Sequence, residues 1–199
     1  MKRIIPLFPL SLLCLGLLSC DALSDAPTPP AAKEVRTFYI QGLECGGCVY
    51  MVQHALSETK GVLSHEVVQS LDSYAIVSFD PARLSEHRVA QTVREAMPVH
   101  GTPYLPSLRL RVDAFAQCAP ILEAVLAKFK HLVRLEVLRP DRGEVALHFL
   151  PLEAEKTPVS PTAHAPKGWS SADLREALDQ AGPAGQAIRY QILAEAPQP

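Results

Sequence analysis

Phe38-Tyr39-Ile40-Gln41-Gly42-Leu43-Glu44-Cys45-Gly46-Gly47-Cys48 is the segment from which the architecture of this chain unfolds. Its first half alternates, with Phe38 and Ile40 on one face of an extended run. Gly42 closes that run. Beyond it, apolar residues fall at Cys48, Val52, Ala55 and Leu56, which is helical spacing, and Gly61 ends the helix. The two cysteines therefore stand where a strand turns into a helix. Thiols at this spacing can close on one soft metal ion or on each other as a disulfide, and the spacing alone leaves both open.

Moving outward, the same pattern recurs at a constant offset, that of Cys48 and Cys118. Without gaps, Phe38 meets Leu108, Ile40 meets Leu110, Val52 meets Leu122 and Leu56 meets Leu126. Further along, Val67 meets Val137, Val77 meets Leu147, and Phe79 meets Phe149. Core character is kept while surface residues diverge, as in an internal repeat. Each copy reads as strand, helix, strand pair, helix and last strand. In the first copy, 63–70 and 73–80 read as the strand pair. Residues 85–97 follow as a helix with Val89, Val93 and Met97 on its inner face. In the second, 107–112 reads as a strand with Leu108, Leu110 and Val112 inward. Pro120 suits a first helical turn, where a missing N–H costs little. Residues 133–138 and 144–150 form the next pair, turned by Pro140-Asp141-Arg142-Gly143. Ser170 or Ser171 can cap a helix over 174–181 that Gly182 ends, and 188–193 is the final strand. The last strand of the first copy has to fit within 99–105. Pro98, Pro103 and Pro106 predict that it is short and lies at a sheet edge.

The chain has 199 residues, is 48% hydrophobic and 20% charged, and carries a formal net charge of -2. Most of it should pack as one or two globular domains. The segment 1–19 reads as a signal peptide: Lys2 and Arg3, then an apolar run over 4–18 that is too short to span a bilayer. It ends in Leu17-Leu18-Ser19-Cys20, similar to a bacterial lipobox, so Cys20 is the expected lipidation site and the membrane the expected anchor. Removal of 1–19 strips two basic residues and no acidic one. The acidic remainder excludes nucleic acid as a partner, which would need a basic stripe. Residues 20–33, with Pro27, Pro29 and Pro30, read as a tether. The domains are then expected at 34–105, carrying the Cys-x-x-Cys pair, and at 106–196. The second has a proline-rich insert over 151–169 that Trp169 is expected to anchor. Export leaves Cys45, Cys48 and Cys118, an odd number, which argues against a disulfide framework.

The residues resemble the heavy-metal-associated domain found in copper chaperones, metal-pumping ATPases and periplasmic mercury-binding proteins. The family loop Gly-Met-x-Cys-x-x-Cys stands here as Gly42-Leu43-Glu44-Cys45-Gly46-Gly47-Cys48. Its Gly-Val after the first helix stands as Gly61-Val62. Its Ala-x-Val-x-Phe-Asp-Pro stands as Ala75-Ile76-Val77-Ser78-Phe79-Asp80-Pro81. The resemblance implies an α+β fold of tandem ferredoxin-like βαββαβ domains, the second copy degenerate. It implies Cys45 and Cys48 as metal ligands, and a metal-transporting ATPase or another envelope metal-handling protein as partner. Two departures stand out. Leu43 replaces the usual Met at similar volume, and Glu44 stands where many copper proteins have Thr or Ser.

The chemistry of the pair agrees with that implication. Cys48 lies in the first helical turn, where free N–H groups and the helix dipole favour a thiolate. Two thiolates satisfy Cu(I) or Hg(II), whereas Zn(II) wants four ligands. Glu44 supplies a further carboxylate suited to Zn(II) or Cd(II), so Cu(I) leads with those ions as alternatives. His100 and Tyr104, in the loop after the second helix, are with Glu44 the candidates to surround the ligands. Histidines 54 and 65 read as solvated or structural. In the second copy Phe115 replaces Cys45 and the loop becomes Val112-Asp113. Cys118 there reads as a small core residue, or as a further ligand offered across a domain interface. No phosphate loop, Gly-x-Ser-x-Gly or His-Glu-x-x-His is present, so the chain is not expected to be an enzyme. Two other functions use the same residues: a periplasmic thiol–disulfide oxidoreductase, though no Trp or Pro flanks the dithiol, and an interaction module of an envelope complex.

Overall fold

The computed structural model describes residues 33–152, 168–181 and 188–195. The expected signal segment, Cys20, nearly all of the expected tether, most of the proline-rich insert and Gly182 lie outside the described residues. Among the described residues, eleven α-helices and β-strands follow one another: β1 (Glu34–Gln41), α1 (Gly46–Ser57), β2 (Val62–Val68), β3 (Tyr74–Phe79), α2 (Glu86–Glu95), β4 (Leu105–Val112), α3 (Phe115–Leu126), β5 (Val133–Arg139), β6 (Glu144–Phe149), α4 (Ser171–Ala181) and β7 (Tyr190–Ile192). No helix among the described residues is long and apolar enough to cross a membrane.

The strands form one sheet in the order β2-β3-β1-β4-β6-β5, with β7 also paired to β4. Every ladder among them is antiparallel. The first half reads β4-β1-β3-β2 and the second β7-β4-β6-β5, so each half has the ferredoxin-like order. The two halves share β4. One edge of this strand pairs β1 through Leu105, Pro106 and Ser107, then β7 through Leu110, Arg111 and Val112. Its other edge pairs β6 over Ser107–Arg111.

The shared strand corrects one expectation. The first copy has no separate last strand within 99–105, and its closing strand is not at the sheet edge. Proline limits a ladder by removing a donor, and here its effect is to hold the β1–β4 ladder to three residues. The chain then continues in the same strand to build the second half. The expected boundary between 105 and 106 thus falls inside β4.

The alternating residues of the sheet and the helical stripes meet in one core. Phe38, Val77, Leu108, Leu110, Val145 and Leu147 are completely buried from the sheet, with Val52, Leu56, Val89 and Val93 from the helices over them. Burial of each such side chain is worth ~1.5–3 kcal/mol. Ser85 caps α2, its side chain accepting from the Arg88 N–H, which costs about 1 kcal/mol to lose. Met97, expected on the inner face of this helix, is instead 69% exposed. The helix stops at Glu95, because Pro98 forces the preceding backbone out of helical conformation.

The seam between halves is dense. Phe149 at the end of β6 packs against Phe38, His87 and Trp169, with centroids 6.0, 5.2 and 5.9 Å away. Trp169 is buried. The backbone N–H of Trp169 donates to His87 Nδ1, and His87 Nε2 donates to the Leu150 carbonyl at 2.7 Å. Glu86, also buried, accepts from Arg36 and from the Ser171 N–H and hydroxyl, tying α2 to the start of α4.

Candidate metal site

The site is built at the exit of β1. Gly42 adopts φ +87, and a Cβ on it would sit 3.0 Å from the Pro103 carbonyl oxygen. Only glycine allows that loop to approach so closely. Leu43 is 4% exposed and packs into the core. The β2–β3 turn braces the loop from the side: the Ser73 hydroxyl donates to the Leu43 carbonyl, and the Gln69 side chain donates to that of Glu44.

Cys45 is the N-cap of α1, with extended backbone, and its sulfur accepts from the Cys48 N–H at 3.3 Å. This geometry turns both sulfurs toward one point: Sγ–Sγ is 3.2 Å. Both cysteines are free thiols. Cys45 is half-buried, whereas Cys48 is 1% exposed. Burial by itself raises the Cys48 thiol. Hydrogen bonds from the Tyr104 hydroxyl, then from Cys45 and the backbone at Glu44 and Cys45, outweigh it, and the thiol lies below its ordinary value. The same contact acts in reverse on Tyr104. Burial first, and the Cys48 sulfur second, push its phenol up to about 12, so it stays a donor.

The loop over 96–104 closes the site from the opposite side. His100 Nε2 lies 3.3 Å from Cys45 Sγ. The donor atoms of Cys45, Cys48 and His100 all lie within 4.8 Å of one another, the one group of metal-ligand type among the described residues. Tyr104 is completely buried, and its hydroxyl also reaches the Met97 carbonyl at 3.4 Å. Val99, 48% exposed, stands over Gly47.

Of the residues singled out in the sequence, four converge: Cys45, Cys48, His100 and Tyr104. His100 is closer in than expected, at the sulfur itself. Glu44 is exposed, and its carboxylate is not part of the converging group. His54 is exposed beside Tyr50, and His65 is half-buried on β2. Cys118 is half-buried at the start of α3, packed against the core, with no share in the group. The braces Ser73 and Gln69 carried no signal in the sequence, because their contacts depend on the register of β2 against β3. An exposed residue beside Gly47 was equally invisible at Val99.

Against known proteins, the heavy-metal-associated domain model matches residues 37–97. The mercuric transport protein periplasmic component of Salmonella typhi is 33% identical over 67 residues, which is 33% of this chain and 71% of that protein. The component of the same description from Acinetobacter calcoaceticus matches with the same figures, 33% over 67 residues and 71% of its length. Among solved structures, the N-terminal soluble domains of Bacillus subtilis CopA superpose over 82% of this chain and 95% of theirs, at 18% identity and a TM-score of 0.32. The water-soluble region of the P-type ATPase CopA from Bacillus subtilis covers 81% and 92%, at 19% identity and 0.35.

Proposed function

The chain belongs to the heavy-metal-associated domain family, and from that premise we propose that it captures one soft heavy-metal ion between Cys45 and Cys48 and passes it on. The observation that carries this reading is the pair of sulfurs 3.2 Å apart at the N-terminus of α1. Two thiolates so placed can turn onto a single ion. The lowered Cys48 thiol supports the deprotonated form that a soft ion needs.

Cu(I) is the favoured cargo, since two thiolates suffice for it and Glu44 stands apart from the sulfurs. Zn(II) and Cd(II) want more ligands than the pair supplies. Hg(II) is the competing cargo, supported by the similarity to mercuric transport proteins. The function is carriage rather than catalysis, and the absence of a nucleophile–base motif from the sequence supports that. The signal-like segment over 1–19 and Cys20 support a lipid-anchored protein facing the periplasm, and the periplasmic relatives fit that compartment. The partner is a metal-transporting ATPase or another envelope metal-handling protein. Exposed Met97 and Val99, in the loop that closes the site, support a face offered to such a protein.

The test is retention. The full chain is purified anaerobically and reduced, loaded with Cu(I), Hg(II) or Zn(II) under a competing chelator, and weighed by native mass spectrometry. One ion per chain is expected, lost in both Cys45→Ser and Cys48→Ser and kept in Cys118→Ser. Retention indifferent to Cys45 and Cys48 would remove the carrier reading and leave the dithiol to redox chemistry or docking.

A further inference from the structure

Resting on that reading of the dithiol, we infer that His100 is the third ligand, so that the site is a trigonal one of two sulfurs and one imidazole nitrogen. Three observations carry it. His100 Nε2 lies 3.3 Å from Cys45 Sγ, at the same range as the 3.2 Å between the sulfurs. The three donor atoms form a triangle within 4.8 Å, small enough for one ion to reach all three after modest inward rotation of the side chains. The third observation is that this arrangement is held by backbone and not by chance contact of a long side chain.

The loop over 96–104 is pinned at both ends. Before His100, Ala96 closes α2 and turns the chain out of the helix with ψ 136. After it, Tyr104 is completely buried, and its hydroxyl donates back to the Met97 carbonyl at 3.4 Å. The Pro103 carbonyl lies close over Gly42. Gly101 takes φ +76 directly after His100, a turn that a residue with a side chain enters only with strain. Pro98 and Pro103 restrict the segment further. The base of the loop that carries His100 is therefore packed against the loop that carries the cysteines, and bringing the imidazole to the sulfurs requires little ordering of the chain. His100 itself is exposed, so its outer face is free to leave when a partner's ligand arrives.

A nitrogen added to two thiolates changes which ion the site prefers. Hg(II) is satisfied by two sulfurs in a line and gains little from the imidazole. Cu(I) takes a third ligand readily, and imidazole suits it. On this geometry His100 is the residue that separates Cu(I) from Hg(II), a distinction that two cysteines alone do not make.

X-ray absorption on the Cu(I)-loaded full chain, with affinity measured against a chromogenic Cu(I) chelator, tests it. Wild type should show a first shell of two sulfurs and one nitrogen. His100→Ala should show two sulfurs only, with Cu(I) affinity lowered about tenfold or more and Hg(II) affinity unchanged. The melting temperature of the metal-free protein should be the same in both, which separates a ligand from a structural residue. A two-sulfur shell in wild type, or equal Cu(I) affinity with and without His100, overturns the third ligand and leaves Cys45 and Cys48 as carriers. Failure of the dithiol reading looks different: Cu(I) retention that survives Cys45→Ser together with Cys48→Ser.

Discussion

The two halves of the sheet turn from strand to helix at matching places, over 42–48 and 112–118, and make opposite use of the turn. In the first half the left-handed residue is Gly42, the cap of the helix is Cys45, and its half-buried sulfur faces the buried sulfur of Cys48. In the second half the left-handed residue is Ala114, with φ 48, and it caps α3 with no side-chain hydrogen bond. Phe115, in the place of Cys45, packs toward the core. The β5–β6 turn covers this second loop: the Val112 N–H donates to the Gly143 carbonyl at 2.8 Å. A Cβ on Gly143 would come within 2.2 Å of the Val112 carbonyl oxygen. The comparison teaches that the scaffold and its chemistry separate cleanly. The pairs Phe38/Leu108, Val52/Leu122 and Phe79/Phe149 are buried in both halves, while the residues that could hold an ion survive in one.

If the halves are one folding unit joined through β4, damage at the seam should be felt in both. Phe149→Ala removes a ring that touches Phe38, His87 and Trp169. It should cost about 3–5 kcal/mol. Urea unfolding followed by Trp169 fluorescence and by far-ultraviolet dichroism should give coincident transitions, both moved to lower urea. Phe79→Ala, at the matching place in the first half, should move the same two probes together. Transitions that separate would mean that the shared strand does not couple the halves.

A smaller effect should appear with pH at the same seam. His87 is completely buried, and burial holds its pKa below the ordinary value, so it is neutral in the fold. In the unfolded chain it titrates near ~6.5. As pH falls through that value, the unfolded state takes up a proton that the folded state refuses. Stability therefore rises with pH across this window, and it is lost on acidification from ~6.5 down to the folded value. The melting temperature should fall between about pH 7 and pH 5, and it should fall less steeply in His87→Gln, which cannot titrate. Parallel slopes would take His87 out of the account of the seam.

Much of this was legible in the sequence, and the boundary of what was legible is physical. Alternation at Phe38 and Ile40 and helical spacing at Cys48, Val52 and Leu56 are local patterns, and they placed β1, α1 and the cysteines. The repeat placed the second half. What local pattern does not carry is how the halves meet. A separate edge strand before residue 105 was the simplest completion of the first copy, and nothing near Pro106 signals that Leu105–Val112 serves two neighbours at once. His100 was legible as a neighbour of the loop but not as a contact of Cys45, because its distance depends on Gly101 and on the buried Tyr104. Met97 misled for a local reason: the helical period runs on past Glu95, but the backbone before Pro98 does not.

The smallest effect tests the comparison most directly. Ala114 holds a left-handed conformation that costs an L-residue about 1 kcal/mol or more relative to the ordinary helical region. Glycine holds it freely but gives up more freedom on folding, which returns part of the gain. Ala114→Gly should therefore raise stability by up to about 1 kcal/mol. The result is read as a higher urea midpoint at unchanged slope. It should also create no metal retention, since Phe115 still fills the place of the first sulfur. Gly42→Ala is its counterpart and should have the opposite sign. There a Cβ meets the Pro103 carbonyl oxygen at 3.0 Å and strains the loop that carries Cys45. If both substitutions moved stability the same way, the two turns would not be related by exchange of one left-handed position, and the second loop would need another origin than the loss of a site like the first.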